Sequence, residues 1–319
     1  MSVLTYRCAL KRNAIPVLAR RCMSVRPRVD QETPAGRKKV TIQSLQAQRR
    51  DKIPITMLTA YDYPTGLACS SNVKLDITLV GDSLAQVCLG HSSTTDLTLQ
   101  EMIHHARAVS RGTTHPLLVA DMPFGTYHVS PASATENAIR LIQEGRVDAL
   151  KLEGGSEILP VVRQLTRIGI PVMAHVGLMP QRHIAMSGYR VQGRSAEGAR
   201  RVLNDALALE EAGAFSIVIE AVPKELGSYI TERLKIPTIG IGAGPGTSGQ
   251  RKVLVWDDVM GTWPGHKAKF VRRFGDVARE REGGVEGYTA GVREGSFPGD
   301  AESYVMDSEE WNKFLAGEK

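Results

Sequence analysis

Five short apolar runs in this chain each lead to a residue that can hold a metal or move a proton, and that repetition limits the possible fold more than any other feature. TLVGDS breaks at Gly81 to deliver Asp82 and Ser83, and LLVAD ends on Asp121. ALKLEGG carries Lys151 and Glu153, PVMAH ends on His175, and SIVIE ends on Glu220. Singly, each has a plainer explanation: an Asp after a strand caps the next helix or closes a turn, Lys151 and Glu153 form a salt bridge, and His175 is a satisfied core histidine. Caps do not need apolar runs ending in Lys, His or Glu, however. Nor does a packed core gather several ionisable groups at one rim unless they share a ligand. In parallel sheets and barrels, ligands bind at the carboxyl ends of the strands.

Between these runs the pattern alternates. Strands are expected at 53–60, 75–80, 117–120, 149–152, 171–174, 216–219, 237–241 and 253–255. Helices are expected at 65–71, 97–109, 133–144, 158–168, 196–212 and 224–234, after a lead-in helix at 40–49. The helix at 97–109 rests on Met102, Ala106 and Val109 sharing a face and on Thr98 with Glu101 as a capping box. Gly145 is a natural helix stop. Eight βα units in about 220 residues match a (β/α)8 TIM barrel better than a Rossmann sheet, which more often stops at six strands. After Trp256 the periodicity weakens. A basic helix is expected at 269–279, and the glycine-rich stretch 282–319, turned at Pro298 and Gly299, is expected to be a partly ordered tail wrapping the barrel or a neighbouring subunit. The expected division is a leader at 1–33, a catalytic barrel at 34–300 and a polar tail at 301–319.

The chain has 40 basic and 34 acidic residues, a net charge of +6 that by itself would suggest a nucleic-acid partner. Position argues otherwise. Arg7, Lys11, Arg12, Arg20, Arg21, Arg26 and Arg28 all precede the first acid, Asp30. Removing these seven leaves 33 bases against 34 acids, a net of −1. An Arg-rich, acid-free leader interleaved with apolar residues has the composition of a mitochondrial transit peptide, so the expected location is the matrix, with no nucleic-acid or membrane partner. Cys8 and Cys22 lie in that leader, and Cys69 and Cys88 have neither disulfide nor zinc spacing.

Side chains two apart on a strand share a face, so Lys151 and Glu153 point the same way. A lysine beside a carboxylate suits an anionic substrate. Asp82 and Asp121, on neighbouring strands and without cysteine or adjacent histidine, suit a hard ion such as Mg²⁺, with Glu153 behind or beside it. Such an ion on a 2-oxo acid acidifies the neighbouring carbon. Glu220, closing a very apolar run, is the expected base, and His175 the second candidate. Gly244, Gly246 and Gly249 fit G-x-G-x-x-G, but late in the chain and with Pro245 inside. They are expected to form a tight rim turn that could offer backbone N–H groups to an anion, not a dinucleotide site.

TAYDYPT, LVGDSLAQVCLGHSST, ADMPFGTY, ALKLEGG, HVGLMPQ, GYRVQGR, DALALEEAGAFSIVIE and IPTIGIGAG, in this order, resemble the ketopantoate hydroxymethyltransferase family from about residue 40 to 298. The resemblance implies a (β/α)8 barrel of the phosphoenolpyruvate/pyruvate type. It also implies transfer of a hydroxymethyl group from 5,10-methylenetetrahydrofolate to 3-methyl-2-oxobutanoate, giving 2-dehydropantoate for pantothenate synthesis. The family's metal-binding acids fall on Asp82 and Asp121, with Glu153 also at the metal. Ser83 and Lys151 fall on oxo-acid positions, Glu220 on the proton acceptor and His175 on a pocket histidine. A homo-oligomer is implied, with a decamer as one expected size. The chain departs from the family pattern at Ser92, where many members have Asp, and over 262–269, TWPGHKAK. Both lie outside the proposed metal site and bear on loop closure or folate contacts. The alternative enzyme is a Mg²⁺-dependent 2-oxo-acid lyase or mutase of the isocitrate lyase kind, which usually carries a reactive loop cysteine not found here. A non-catalytic barrel is the alternative from another class, against which the full set of rim groups argues.

Overall fold

Parallel strands and helices alternate as the apolar spacing predicts, and the strands close on themselves. The computed structural model describes residues 38–245, 252–264 and 267–318. The leader, and Gly246 and Gly249 of the glycine-spaced motif, lie outside the described residues. The strands are β1 (Thr56–Thr59), β2 (Ile77–Val80), β3 (Leu117–Asp121), β4 (Ala149–Glu153), β5 (Val172–Gly177), β6 (Ser216–Glu220), β7 (Thr238–Ile241) and β8 (Lys252–Leu254). They pair in sequential order into a closed parallel barrel, β8 returning to β1. The helices are α1 (Ile42–Arg50), α2 (Tyr63–Ser71), α3 (Leu84–Val87), α4 (Leu99–Gly112), α5 (Pro131–Gly145) and α6 (Leu159–Arg167). They continue with α7 (Ala196–Glu211), α8 (Lys224–Arg233), α9 (Trp256–Met260), α10 (Val277–Glu294) and α11 (Ser308–Gly317).

Alternation of side chains separates two cores. Met57, Ile77, Leu79, Leu117, Val119, Met173, Val218 and Ile239 fill the barrel interior, with Leu45 of α1 in the same cluster. That helix follows Val40, whose N–H donates to the His115 carbonyl just before β3, so α1 packs at the amino-terminal end of the strands. The opposite strand faces, including Val80, Leu118, Leu150, Ala174 and Ile217, pack against Met102, Leu141, Val162 and Leu209 of the surrounding helices. Each fully buried Leu or Ile contributes about 1.5–3 kcal/mol, and the apolar interior row gives way to ionisable groups at the carboxyl end of the barrel.

The capping box forms as expected: the Glu101 N–H donates to Thr98 Oγ1 and the Thr98 N–H to Glu101 Oε2. Gly145 differs from expectation. It is the last residue of α5, and Arg146 beyond it takes the left-handed conformation, φ 58°. A Cβ on Gly145 would lie 3.2 Å from that of Ala106, so glycine there serves the close approach of α4 and α5.

The carboxyl-terminal expectations need larger correction. Helix α10 begins at Val277, where the expected basic helix was ending, and runs through Gly283, Gly284, Gly287 and Gly291. Each of those glycines costs about 1 kcal/mol in a helix, yet Val285, Tyr288 and Val292 keep a helical spacing through them. Nor is the tail uniformly polar. It forms α11, and Tyr304, Val305, Trp311 and Phe314 are exposed. No residue of α10 or α11 is buried, although α10 is tied at its start to the end of α9 by the Ala278 N–H donating to Gly261 O.

Candidate active site

The inward rows of the barrel change character at their last step. Leu117 and Val119 are followed two residues on by Asp121, Ala149 by Lys151 and Glu153, Met173 by His175, and Val218 by Glu220. On β2 the row Ile77, Leu79 ends at Gly81, and the chain turns into α3 through Asp82 and Ser83. All seven expected site residues line one cavity of about 340 Å³ at the carboxyl end of the strands. Strand register makes neighbours of Asp121 and Lys151, and of Glu153 and His175.

The two aspartates are in direct contact: the Asp82 N–H donates to Asp121 Oδ2 at 2.9 Å. Lys151 Nζ lies 2.7 Å from Asp121 Oδ1 and 3.9 Å from Glu153 Oε1. His175 stands between two carboxylates, its Nδ1 3.5 Å from Glu153 and its Nε2 3.3 Å from Glu220, and neither nitrogen completes a hydrogen bond. Glu220 is held through its backbone. Its carbonyl accepts from the Leu178 N–H, while Ala221 donates to Ile241 O and accepts from the Gln192 N–H. Ala221 takes a left-handed φ of 44°, a conformation non-glycine residues rarely adopt, at the exit of the strand that carries the acid.

Burial and like charge dominate the electrostatics. Asp82 is pushed up to about 7 by loss of water and by the charge of Asp121, against the opposing influence of Lys151 and an amide donor from Gln181. Glu153 is raised well above the ordinary carboxylate range by burial and by Asp82. Burial works against the Lys151 ammonium too, but Asp121, Glu153 and Asp82 outweigh it and raise its pKa.

Two buried aspartates, the carboxylate of one accepting the backbone N–H of the other and Asp82 driven toward protonation by burial and then by Asp121, are a donor set that a hard divalent cation would relieve, and Mg²⁺ is commonly bound by one or two carboxylates plus water. Among the described residues, no three His, Cys, Asp or Glu side chains converge as a metal-binding group. Asp82 and Asp121 are the candidates to hold such an ion, and Glu153 lies 3.9 Å from Lys151 Nζ and accepts from the Gln181 N–H.

Sequence reasoning missed the groups that hold these acids. Gln181 Nε2 donates to Asp82 Oδ2 at 2.9 Å and to Met122 O at 3.0 Å, while its Oε1 accepts from the Tyr127 hydroxyl at 2.7 Å. Gln181 closes the HVGLMPQ segment, but nothing in its spacing from His175 reveals its direction. On the other side Thr59, Tyr61 and Ser83 form a chain of hydroxyls, 2.8 Å at each step, with the Trp256 N–H donating to Thr59. This fixes Ser83 at the cavity edge.

The model of the family described as ketopantoate hydroxymethyltransferase matches residues 39–300. The chain belongs to the ketopantoate hydroxymethyltransferase family. A curated relative from Emericella nidulans, named 3-methyl-2-oxobutanoate hydroxymethyltransferase, is 46% identical over 87% of this chain and 79% of its own. One of the same name from Deinococcus radiodurans is 49% identical over 82% and 91%. The family match takes in the whole barrel and ends before α11. Among solved structures, a phosphonopyruvate hydrolase complexed with oxalate and Mg²⁺ aligns at TM-score 0.54 and 15% identity, covering 88% of this chain and 96% of its own. A 2,3-dimethylmalate lyase of the PEP mutase/isocitrate lyase superfamily aligns at 0.50 and 17%, covering 87% and 99%. At these identities the likeness is of fold. This member of the ketopantoate hydroxymethyltransferase family thus shares its barrel architecture with enzymes of other names.

Proposed function

We propose that the protein transfers a hydroxymethyl group from 5,10-methylenetetrahydrofolate to 3-methyl-2-oxobutanoate, giving 2-dehydropantoate. The observation that carries this reading is one cavity in which paired carboxylates, a lysine and a separate strand-end glutamate face the same small volume. Asp82 and Asp121 would hold Mg²⁺, which when bound polarises the ketone of the oxo acid and acidifies its C3 hydrogen. Lys151, kept charged by three carboxylates, offsets the negative charge of the bound oxo acid. Ser83 Oγ, fixed by Tyr61, supplies a hydroxyl to a substrate oxygen. Glu220 takes the C3 proton as general base, with His175 Nε2 3.3 Å from its carboxylate. The methylene carbon of the donor is at the oxidation level of formaldehyde. Forming the carbon–carbon bond breaks the methylene's two C–N bonds, tetrahydrofolate leaves carrying the C3 proton and one proton of water, and water supplies the hydroxyl oxygen, so no redox step is needed.

The test is exchange of the C3 hydrogen of 3-methyl-2-oxobutanoate with deuterated water in the presence of Mg²⁺ and without folate. The parent should exchange, and Glu220→Gln should lower the rate at least about 100-fold. A Gln variant exchanging at the parent rate would remove Glu220 from its role. The alternative of a lyase or mutase has the shared barrel in its favour, but Cys69 is buried and neither it nor Cys88 lines the cavity. Product formation only on adding methylenetetrahydrofolate separates the two.

The acid-free leader supports import into the mitochondrial matrix, and cytosolic retention of a reporter fused behind residues 1–33 would refute it. The exposed apolar residues of α10 and α11 support a homo-oligomer. A monomer by light scattering at micromolar concentration would refute that. Among the described residues no helix is long and apolar enough to cross a membrane.

A further inference from the structure

The hydroxyl chain at the edge of the cavity has a direction as well as a position. Its far end is the Trp256 N–H, which can only donate, and it gives its proton to Thr59 Oγ1 at 2.7 Å. The Thr59 hydroxyl donates in turn to Tyr61 Oη at 2.8 Å, and Tyr61 Oη lies 2.8 Å from Ser83 Oγ. Among the described residues no other group bonds to any of these three oxygens. With Thr59 donating to Tyr61, the phenol proton has Ser83 Oγ as its acceptor and the Ser83 proton is left over. In the opposite order two donors would converge on Thr59, and the leftover proton would be its own. Both residues line the cavity, but Thr59 is only 2% exposed, whereas Ser83 is partly exposed at the edge. A proton without a protein acceptor is tolerated where ligand or water can take it, which selects the order that ends on Ser83.

The backbone around the chain holds it in place. Thr59 ends β1, and the next N–H, that of Ala60, donates to Leu79 O of β2. The Tyr61 N–H donates to Thr65 Oγ1 of α2, and the Tyr61 carbonyl lies 2.6 Å from His105 Nδ1 of α4, so two helices pin its backbone. The ring is buried, and burial pushes the phenol pKa up, which keeps Tyr61 a hydroxyl with a proton to give. Gly81 leaves the space that brings the ends together: a Cβ there would lie 2.9 Å from Ser83 Oγ and 3.5 Å from Thr59 Cγ2. Ser83 follows Asp82 directly, and the two open into the same cavity.

We propose that Thr59 and Tyr61 are positioning residues that turn the Ser83 hydroxyl proton into the cavity, where it donates to the substrate oxygen that gains charge on enolisation. This rests on the hydroxymethyl-transfer reading and deepens it: Ser83 acts on the transition state and does not merely hold the oxo acid. A donor preset toward a developing oxyanion needs no reorganisation as the charge appears. No proton moves along the chain. Each hydroxyl keeps its own, and the C3 proton goes to Glu220.

The experiment uses the whole protein with Mg²⁺ and compares Tyr61→Phe, Thr59→Val and Thr59→Ser, each alone and together with Ser83→Ala. Two quantities are read. One is exchange of the C3 hydrogen of 3-methyl-2-oxobutanoate, and the other is equilibrium binding of that oxo acid and of oxalate, whose second carboxylate carries charge where the ketone carries none. Tyr61→Phe and Thr59→Val should lower kcat for exchange about 10- to 100-fold while KM changes less than about threefold. They should also weaken oxalate about five- to tenfold more than the oxo acid, because a hydrogen bond to a charged oxygen is the stronger one. Thr59→Ser keeps the hydroxyl and should restore both. In the Ser83→Ala background neither Tyr61→Phe nor Thr59→Val should cost anything further, since both act through Ser83. Losses that add to that of Ser83→Ala would overturn the proposal and mark a structural role. So would unchanged exchange and oxalate binding in Tyr61→Phe. A further loss in that background from Thr59→Val alone would show the chain running the other way and would overturn it too. A parent that binds oxalate with the expected dependence on Tyr61 and Thr59 but does not exchange would support the orientation of Ser83 and overturn the hydroxymethyl-transfer reading. A parent that binds neither anion would overturn both.

Discussion

Replacing Gln181 by methionine removes the amide that steadies Asp82 while nearly keeping its volume. Gln181 is buried, and three hydrogen bonds go with the amide: to Asp82 Oδ2, to Met122 O and from the Tyr127 hydroxyl. Tyr127 loses least, since its hydroxyl also donates to Glu153 O at 3.0 Å. The other two partners are left in a site with little water. A buried neutral group stripped of its partner costs about 1–3 kcal/mol, and a hydrogen bond to a charged group is worth about 1.5–3 kcal/mol. The expected loss is therefore about 3–5 kcal/mol of unfolding free energy. The change also removes one of the influences that hold the Asp82 pKa down, so Asp82 protonates more readily and Mg²⁺ binds more weakly. Urea unfolding in chelator gives the first quantity and Mg²⁺ titration of exchange activity the second. A cycle with Asp82→Asn should show coupling of at least about 1 kcal/mol. A loss below about 0.5 kcal/mol, or single effects that simply add, would refute the reasoning that Gln181 carries Asp82.

Asp121→Asn leaves the buried Lys151 ammonium with Glu153 at 3.9 Å as its nearest carboxylate. Breaking such a pair should cost about 3–5 kcal/mol and weaken the Mg²⁺ requirement for exchange, and an unchanged Mg²⁺ titration would remove Asp121 from the metal site. Stability of the metal-free protein should fall as pH rises from about 4 to about 7. Over that window native Asp82, raised to about 7, keeps a proton that the unfolded chain, near 3.9, has released. Urea midpoints in chelator at several pH values test this, and a rise attributable to Asp82, judged against Asp82→Asn, would contradict it. Gly177→Ala places a Cβ 2.2 Å from the Glu220 carbonyl oxygen at a φ of +95°. It should cost about 2–4 kcal/mol and slow exchange by displacing the base, and parent-like exchange with parent-like stability would show that this contact does not position Glu220.

The barrel could be read from the chain because its physics is local and periodic. Apolar runs of strand length between amphipathic helices fix the alternation, and Asp121, Lys151, His175 and Glu220 continue inward rows whose earlier members are apolar. The carboxyl-terminal helices could not be read the same way. The glycines of α10 argue against a helix on propensity alone, and its spaced Val285, Tyr288 and Val292 stay exposed, with Phe297 against the Tyr288 ring, so no buried face reveals the pattern. Within the site, the acids were visible because ionisable residues recur at the ends of five successive apolar runs, although an Asp at any one strand end is ordinary. Gln181 was not, since a glutamine's role depends on which way a loop turns it after β5. The same distinction explains why the two cavities differ in legibility. The inner one is built from strand ends, where a period of two dictates direction. The outer one, a cavity of about 850 Å³ beside it, is lined largely by loops, where Gly244 allows the close approach of Lys224 and Gly242 that of the Phe270 ring. A site assembled from strand ends tolerates little change, whereas one assembled from loops can vary its charge without disturbing the barrel.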